Sequence, residues 1–192
     1  MAMLQKRRLA ITTNPKFLMK AIIKKVEMWL NIVHYCIYKV DYKLHILFNK
    51  LNPFLLIGKI PAVKKKFEEQ ETSLKEVGDR VWTDKRYGFG IMISGGGIIV
   101  ILFFLIWGFV SSFLGLLKIY FLVKPLYISV YALISYLICH FLVFRQDKYI
   151  RYFKQFDKWS TQEKRKYGLL SFAFIVLTCI LWIYSFRFTP LS

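Results

Sequence analysis

The chain has 192 residues, of which 56% are hydrophobic, and its formal net charge is +18 at pH 7. An ordinary soluble domain does not combine so apolar a composition with so large a charge, so that class is excluded. Three long apolar runs alternate with basic stretches, a pattern typical of an all-α integral membrane protein with three transmembrane helices. We expect two regions, a cytoplasmic or interfacial amphipathic helical region at 1–87 and a three-span membrane domain at 88–192.

The amino-terminal region is predicted to begin with one long amphipathic helix. Asn14 and Pro15 mark its start, as a polar cap followed by a proline in the first turn. Apolar residues then recur at spacings of three and four for about ten turns. Because the helix is also basic and carries aromatic residues, it fits equally a flat position in the membrane interface and a place in a protein bundle. The apolar stripe comprises Leu18, Ile22, Val26, Trp29, Val33, Ile37, Val40, Leu44, Leu47 and Leu51.

The opposite side of this helix is polar, and we interpret it as a solvated face. His34 and His45 lie eleven residues apart, or about 16 Å along a helix, so they cannot share a metal ion. Asp41 and His45 are the one pair within reach of each other. We therefore expect neither a metal site nor a cofactor. The other residues of this side are Lys20, Lys24, Glu27, Asn31, Tyr38 and Asn49.

A second amphipathic stretch follows at 63–81. Its repeating positions have the four-three spacing of a coiled coil, and charged residues surround them. A segment of fewer than three heptads is marginal alone, so the pattern predicts a nearby partner. The repeating residues are Val63, Phe67, Gln70, Leu74, Val77 and Val81.

The first predicted span is Ile91–Leu117, which carries no charged side chain. At about 1.5 Å per residue it is long enough to cross a hydrocarbon core of roughly 30 Å. One side of this helix is small at both ends, and helices in lipid associate by close contact across small residues. We therefore expect that side to pack against protein. Its small positions are Gly90, Ser94, Gly97, Gly108, Ser111 and Gly115.

Two further spans are predicted. Pro125 stands where the first turn of the second span begins, and Leu126–Phe144 forms that span. The third span is Leu169–Phe186. A small face in the second span is a candidate to pack on the first span. It consists of Ser129, Ala132, Ser135 and the weakly polar Cys139.

The loop at 145–168 is predicted to be basic, amphipathic and cytoplasmic, with the second helix continuing out of the bilayer into it. Ser160 and Glu163 fit a capping box that starts the third helix in the polar layer. Aromatic residues lie along one side of the loop helix. They are Tyr149, Phe153, Phe156 and Trp159.

Lysine and arginine are distributed unevenly around the spans. Residues 1–88 hold 18 of the 29, and residues 145–167 hold 8. By the positive-inside rule, the amino terminus is cytoplasmic and the carboxyl terminus is outside. A bacterial inner membrane is favoured over a mitochondrial inner membrane, because the basic amino-terminal residues include too few Arg and Ser for a clear transit peptide.

The basic residues beside the spans indicate anionic phospholipid as a partner, since each Lys or Arg near such a surface contributes about 1 kcal/mol. Nucleic acid is disfavoured because no recognised binding motif accompanies the charge. We expect nine basic side chains to dock on lipid or on a partner protein. They are Lys20, Lys24, Lys25, Lys64, Lys65, Lys66, Arg145, Lys148 and Arg151.

The spans offer little for catalysis or ion coupling. They contain no Asp, Glu, Lys or Arg, and we interpret His140 as a packing or interface residue. Cys36, Cys139 and Cys179 are far apart and predict neither a disulfide framework nor a zinc site. No nucleophile, paired-carboxylate or phosphate-loop motif occurs, so we do not expect an enzyme.

Three functions remain open at this point. The small faces, the heptad-like repeat and the lack of catalytic groups favour a non-enzymatic subunit that packs into and anchors a larger membrane complex, with other membrane subunits or copies of itself as partners. The alternative is a homo-oligomeric pore or membrane-disrupting effector, for example in a bacterial defence or toxin system. A third possibility is a lipid-surface scaffold that acts through the helix from Lys16 to Leu51.

Overall fold

The structure, a computed structural model, describes residues 15–49, 57, 60–70, 72–119 and 124–188, and within these ranges it is helical with no strand. The predicted helix start at Pro125 is confirmed, and the predicted cap at Asn14 lies outside the described residues. The helices are α1 (Pro15–Asn49), α2 (Pro61–Glu68), α3 (Leu74–Thr83), α4 (Phe89–Leu116), α5 (Pro125–Cys139), α6 (Lys148–Phe156) and α7 (Thr161–Ser185). A π turn (His140–Phe144) and a 3-10 turn (Arg145–Asp147) join α5 to α6, and a 3-10 turn (Phe186–Phe188) follows α7.

Three helical stretches are long and apolar enough to cross a membrane, which confirms the predicted spans. They are Phe89–Leu116, Pro125–Phe156 and Thr161–Phe188. The chain is therefore an all-α membrane protein. The end of the bundle at which α4 and α7 begin and α5 ends is called the basic end below.

Helix α4 is the central helix of the bundle. It contacts α1, α3, α5 and α7, and it lies beside α7 with both helices running in the same direction. A Cβ added at Gly108 would lie 3.0 Å from the backbone nitrogen of Trp182, and one added at Gly115 would meet the Phe188 side chain. These two glycines let the helices approach closely, and the rings of Phe104 and Trp182 stack between them at 4.2 Å.

Helix α1 crosses the basic end of the bundle. It packs on α4, α6 and α7, and all six residues from Leu30 to Tyr35 are buried. The hydrophobic cluster that contains them also includes Ile98 of α4 and Phe153 of α6. The two regions expected from the sequence therefore share one core.

The heptad-like repeat at 63–81 does not form one helix. Helix α2 ends at Glu68, and α3 begins only at Leu74. Ser73 and Glu76 form a capping box, in which the Ser73 hydroxyl accepts from the Glu76 N–H and the Glu76 carboxylate accepts from the Ser73 N–H. Because this cap starts a new helix within the repeat, the structure does not support the coiled-coil interpretation.

The loop helix α6 is not a straight continuation of the second span. Gln146 and Asp147 have positive φ angles of 60° and 53°, which turn the chain back so that α6 lies against α1. The expected aromatic side of α6 is buried at Tyr149, Phe153 and Phe156. The predicted capping box of Ser160 and Glu163 is confirmed at the start of α7.

Candidate functional site

From Glu27 to His45, the polar side of α1 faces the protein, whereas two lysines nearer its amino end are exposed. Asn31 and His34 are fully buried, and other polar residues of this part bond to α3 and α6. The expectation of a solvated polar face is therefore wrong for this part of the helix. The physical reason is that elements distant in sequence bring a polar partner to each of these groups, so that burial does not leave them wholly unpaired.

Glu27 and Asn31 attach α1 to the end of the second span. The Lys148 ammonium lies 2.7 Å from the Glu27 carboxylate, and the Tyr152 hydroxyl donates to the same carboxylate at 3.1 Å. The Asn31 amide donates to the Leu142 carbonyl at 3.1 Å. Because Glu27 and Lys148 are both only about one-fifth exposed, this ion pair is screened less than a surface pair.

His34 lies in an aromatic enclosure at the centre of α1. Its Nε2 shares a hydrogen bond with the hydroxyl of Ser94 at 3.2 Å, and that hydroxyl also lies 3.2 Å from the Ile91 carbonyl oxygen. The rings of Phe144 and Phe153 contact the imidazole. Burial lowers the pKa of His34 to about 3, so the imidazole is neutral at pH 7.

Asp157, just after α6, gathers side chains from three parts of the fold. Its carboxylate accepts from Lys39 of α1 at 2.8 Å, from Lys85 before α4 at 2.9 Å and from the Tyr35 hydroxyl at 2.9 Å. Burial alone would raise the pKa of Asp157, but these hydrogen bonds outweigh it and hold the pKa well below its ordinary value. Sequence reasoning missed this site, because nothing in the pattern singles out one of three acids in a loop with eight bases.

The carboxyl-terminal half of α1 is held by α3. The His45 imidazole stacks on the Trp82 ring at 4.4 Å and bonds to Asp79 at 3.1 Å, while the Trp82 indole donates to Asp41 at 3.0 Å. Asp41 and His45 therefore form these hydrogen bonds with different side chains rather than with each other. Within the described residues, no three His, Cys, Asp or Glu side chains are placed to hold a metal ion.

The apolar stripe of α1 is buried only in its middle. Val33 is fully buried, whereas the stripe residues toward both ends of the helix are between 42% and 57% exposed. Leu51 lies outside the described residues. The exposed stripe residues are Leu18, Ile22 and Val26 at the amino end and Val40, Leu44 and Leu47 at the carboxyl end.

Eight of the nine basic side chains expected to dock on lipid or protein are exposed, and Lys148 is half-buried in its pair with Glu27. Lys148 also donates to the Phe141 carbonyl at 3.0 Å. Its ammonium is therefore engaged within the chain. The exposed eight are Lys20, Lys24, Lys25, Lys64, Lys65, Lys66, Arg145 and Arg151.

The small side of α4 is covered mostly by the chain itself. All six small positions on it are buried except Gly97, which is half-buried. Ser94 meets His34, and a Cβ at Gly97 would lie 3.6 Å from the Ile37 side chain. In α5, by contrast, Ser129 and Ala132 are exposed, while Ser135 is buried.

His140 is half-buried and stacks on the Tyr136 ring at 6.0 Å. Among the cysteines, Cys139 is buried and Cys36 and Cys179 are half-buried, and all three are free thiols. These residues do not converge with the polar groups around α1 on a shared site.

No family model, curated protein or solved structure matches the chain. The fold by itself defines the class, which is a multi-pass helical membrane protein. Its distinctive feature is a long helix across the basic end that polar bonds hold to α3 and α6, while its apolar stripe is exposed toward both ends.

Proposed function

We propose that the chain is a non-enzymatic subunit that packs into and anchors a larger membrane complex. In this proposal the amino-terminal region and the loop at 145–168 face the cytoplasm of a bacterial cell, and the carboxyl terminus lies outside. Anionic phospholipid and other membrane proteins are its partners. The exposed apolar ends of α1 are the observation that carries the proposal.

The argument starts from the length of α1. A helix of 35 residues is about 52 Å long, and only its central third is buried. Contiguous exposed apolar surface of this kind marks contact with protein or membrane. Since α1 is not one of the three spans, its exposed apolar ends need cover from beyond the described part of the chain.

The centre of α1 is held firmly enough to keep its ends in fixed directions. Glu27 pairs with Lys148, and Lys39 pairs with Asp157. Buried Tyr35 and Tyr38 add ring contacts to Phe153. A helix fixed in this way presents two preformed apolar surfaces, which lowers the conformational entropy lost when a partner binds.

A non-enzymatic role is supported by how the polar groups are used. Around α1, carboxylates and histidines are paired with side chains of other helices rather than converging on an open cavity. An active site would leave a nucleophile or a proton-transferring group facing a substrate.

The mass and composition of the purified particle test the proposal. The full chain, expressed in its own cells and extracted in mild detergent, is expected in a particle that contains other polypeptides. The double variant Leu18→Ser/Ile22→Ser should lower the partner recovered at least tenfold, because two exposed apolar anchors are lost. Gln155→Ser, at an exposed polar position of α6 outside the proposed docking surface, is the control and should retain the partner.

Two results would overturn this proposal. A ring of identical chains that passes ions in liposomes would support the homo-oligomeric pore instead. A monomer that shows no ion flux, and that the double variant leaves unchanged, would exclude both functions.

A further inference from the structure

A groove runs between α1, α4 and α7 at the basic end, with a cavity volume of about 800 Å³. This volume falls within the range of roughly 300–1,000 Å³ that is usual for small-molecule sites. Its walls are apolar and include Val100 and Ile101 of α4 and Phe172 and Ile175 of α7. Val100 and Phe172 stay exposed, so the groove is open toward the surrounding bilayer.

One end of the groove is basic. Lys39, Lys43 and Lys164 line it. Lys39 pairs with the Asp157 carboxylate, and Lys164 donates to the Asp157 backbone carbonyl at 2.8 Å. Lys43 has no ion pair within the described part of the chain. The Asp157 carboxylate is shared with Lys85 and pairs with only one of the three rim lysines, Lys39, so the rim remains positively charged.

The charged rim and the apolar walls lie at different depths. Lys164 stands five residues before Leu169, the start of the apolar run of α7, which places it about 7 Å toward the basic side. Ile175 lies about 16 Å from Lys164 along the same helix, within the apolar run. The groove therefore extends from the headgroup layer into the hydrocarbon layer of one leaflet.

We propose that this groove binds one anionic phospholipid of the leaflet on the basic side. Lys43 and Lys164 bind the phosphate, and one acyl chain lies along Val100 and Ile175. The inference rests on the anionic lipid partner in the proposed function and gives that lipid a specific site.

An anionic phospholipid matches both parts of the groove. Free phosphate would leave the apolar walls uncovered, and an apolar partner helix would leave the lysines without a counter-charge. Basic pockets between membrane helices are a recognised form of headgroup site.

Substitution of a glycine in the groove can block lipid binding while preserving the fold. Gly168 lines the groove, and a Cβ added there meets nothing within 4 Å. Gly168→Leu therefore fills the groove without a backbone clash. A Cβ added at Gly96 also meets nothing within 4 Å, and Gly96 is exposed and outside the groove lining, so Gly96→Leu is the matched control.

A second pair of variants tests the charge. Lys43→Gln removes a rim ammonium that has no ion pair to lose. Its matched control is Lys154→Gln, at an exposed lysine of α6 that lies outside the groove and outside the nine docking residues.

The experiment uses the full chain, purified in mild detergent with equal amounts of phosphatidylglycerol and phosphatidylcholine, and counts retained lipids by native mass spectrometry. One phosphatidylglycerol per chain is expected, and excess inorganic phosphate should not displace it. Gly168→Leu should lower its occupancy at least fivefold. Lys43→Gln should lower the preference for phosphatidylglycerol about fivefold. Both controls should match the unmodified chain.

Equal retention of the two lipids, or unchanged occupancy in Gly168→Leu, would overturn the lipid site. The particle mass measured on the same samples separates this result from the proposed function. If Gly168→Leu loses the lipid while the mass of the complex stays unchanged, the result supports the lipid site independently of the complex. If the unmodified chain keeps its lipid but never joins a complex, the proposed function alone is overturned.

Discussion

The basic end and the opposite half of the spans are stabilised in different ways. At the basic end, Glu27, His34 and Asp157 each bond to a residue far away in the sequence. In the opposite half, α4 and α7 approach through Gly108 and Gly115. Directional hydrogen bonds and ion pairs position the helices at the basic end, whereas close packing of complementary surfaces positions α4 against α7 in the opposite half.

Buried polar side chains without any hydrogen-bond partner are more numerous in the opposite half. At the basic end, Asn31 and His34 each have one unbonded atom but bond through another atom of the same side chain, and the Ser171 hydroxyl has no partner within the described residues. In the opposite half, the buried hydroxyls of Ser111 and Thr178 and the indole nitrogen of Trp107 have no hydrogen-bond partner within the described residues. Packing must therefore supply more of the stability there than hydrogen bonding does.

The largest expected loss of stability comes from a substitution in the core of the basic end. Phe153 is fully buried, and its ring lies within 5.8 Å of four aromatic rings. Phe153→Ala should lower the free energy of unfolding by about 3–5 kcal/mol, because it leaves a cavity. Phe109→Ala, at a ring that is 63% exposed, should change it much less. Thermal unfolding in mild detergent measures both, and equal losses would contradict a core centred on Phe153.

A change in the opposite half should have a smaller effect. Gly108→Leu forces α4 away from the backbone of α7, which costs about 1–3 kcal/mol. Gly96→Leu introduces the same side chain in the same helix where space is open, so it is the control. The same melting experiment applies, and an unchanged midpoint for Gly108→Leu would show that close contact does not hold these helices together.

The smallest expected effect is a change of stability with pH, which arises from His34 at the basic end. The pKa of His34 falls from 6.5 in the unfolded chain to about 3 in the folded chain. Between these values the unfolded chain binds one more proton, so acidification favours unfolding. Stability should fall by about 1 kcal/mol between pH 6.5 and 5.5, and by about 1.4 kcal/mol for the next pH unit.

His34→Gln isolates this titration, because glutamine has no proton to gain in that range. The difference in slope between the two chains, taken from melting curves at pH 7 to 5, is the measurement. Parallel slopes would mean that His34 is not buried as a neutral group.

Helix positions were predictable from the sequence because each depends on local chemistry. The capping box at Ser160 and the proline at the start of α5 act within one turn of the chain. The face that α1 turns inward was not predictable. Periodicity separates its polar from its apolar side but does not show that the polar side contacts protein, because Lys148, which pairs with Glu27, lies 121 residues further along.

The sequence by itself determined that the chain belongs in a membrane, where each span begins and how unevenly the charge is distributed. A bilayer requires each spanning segment to satisfy its own backbone hydrogen bonds, so one apolar run carries that information alone. Only the tertiary structure decided that the small side of α4 is covered within the chain and that lysines from α1 and α7 meet at one groove. These outcomes depend on distances between residues far apart in the chain, which no local pattern encodes.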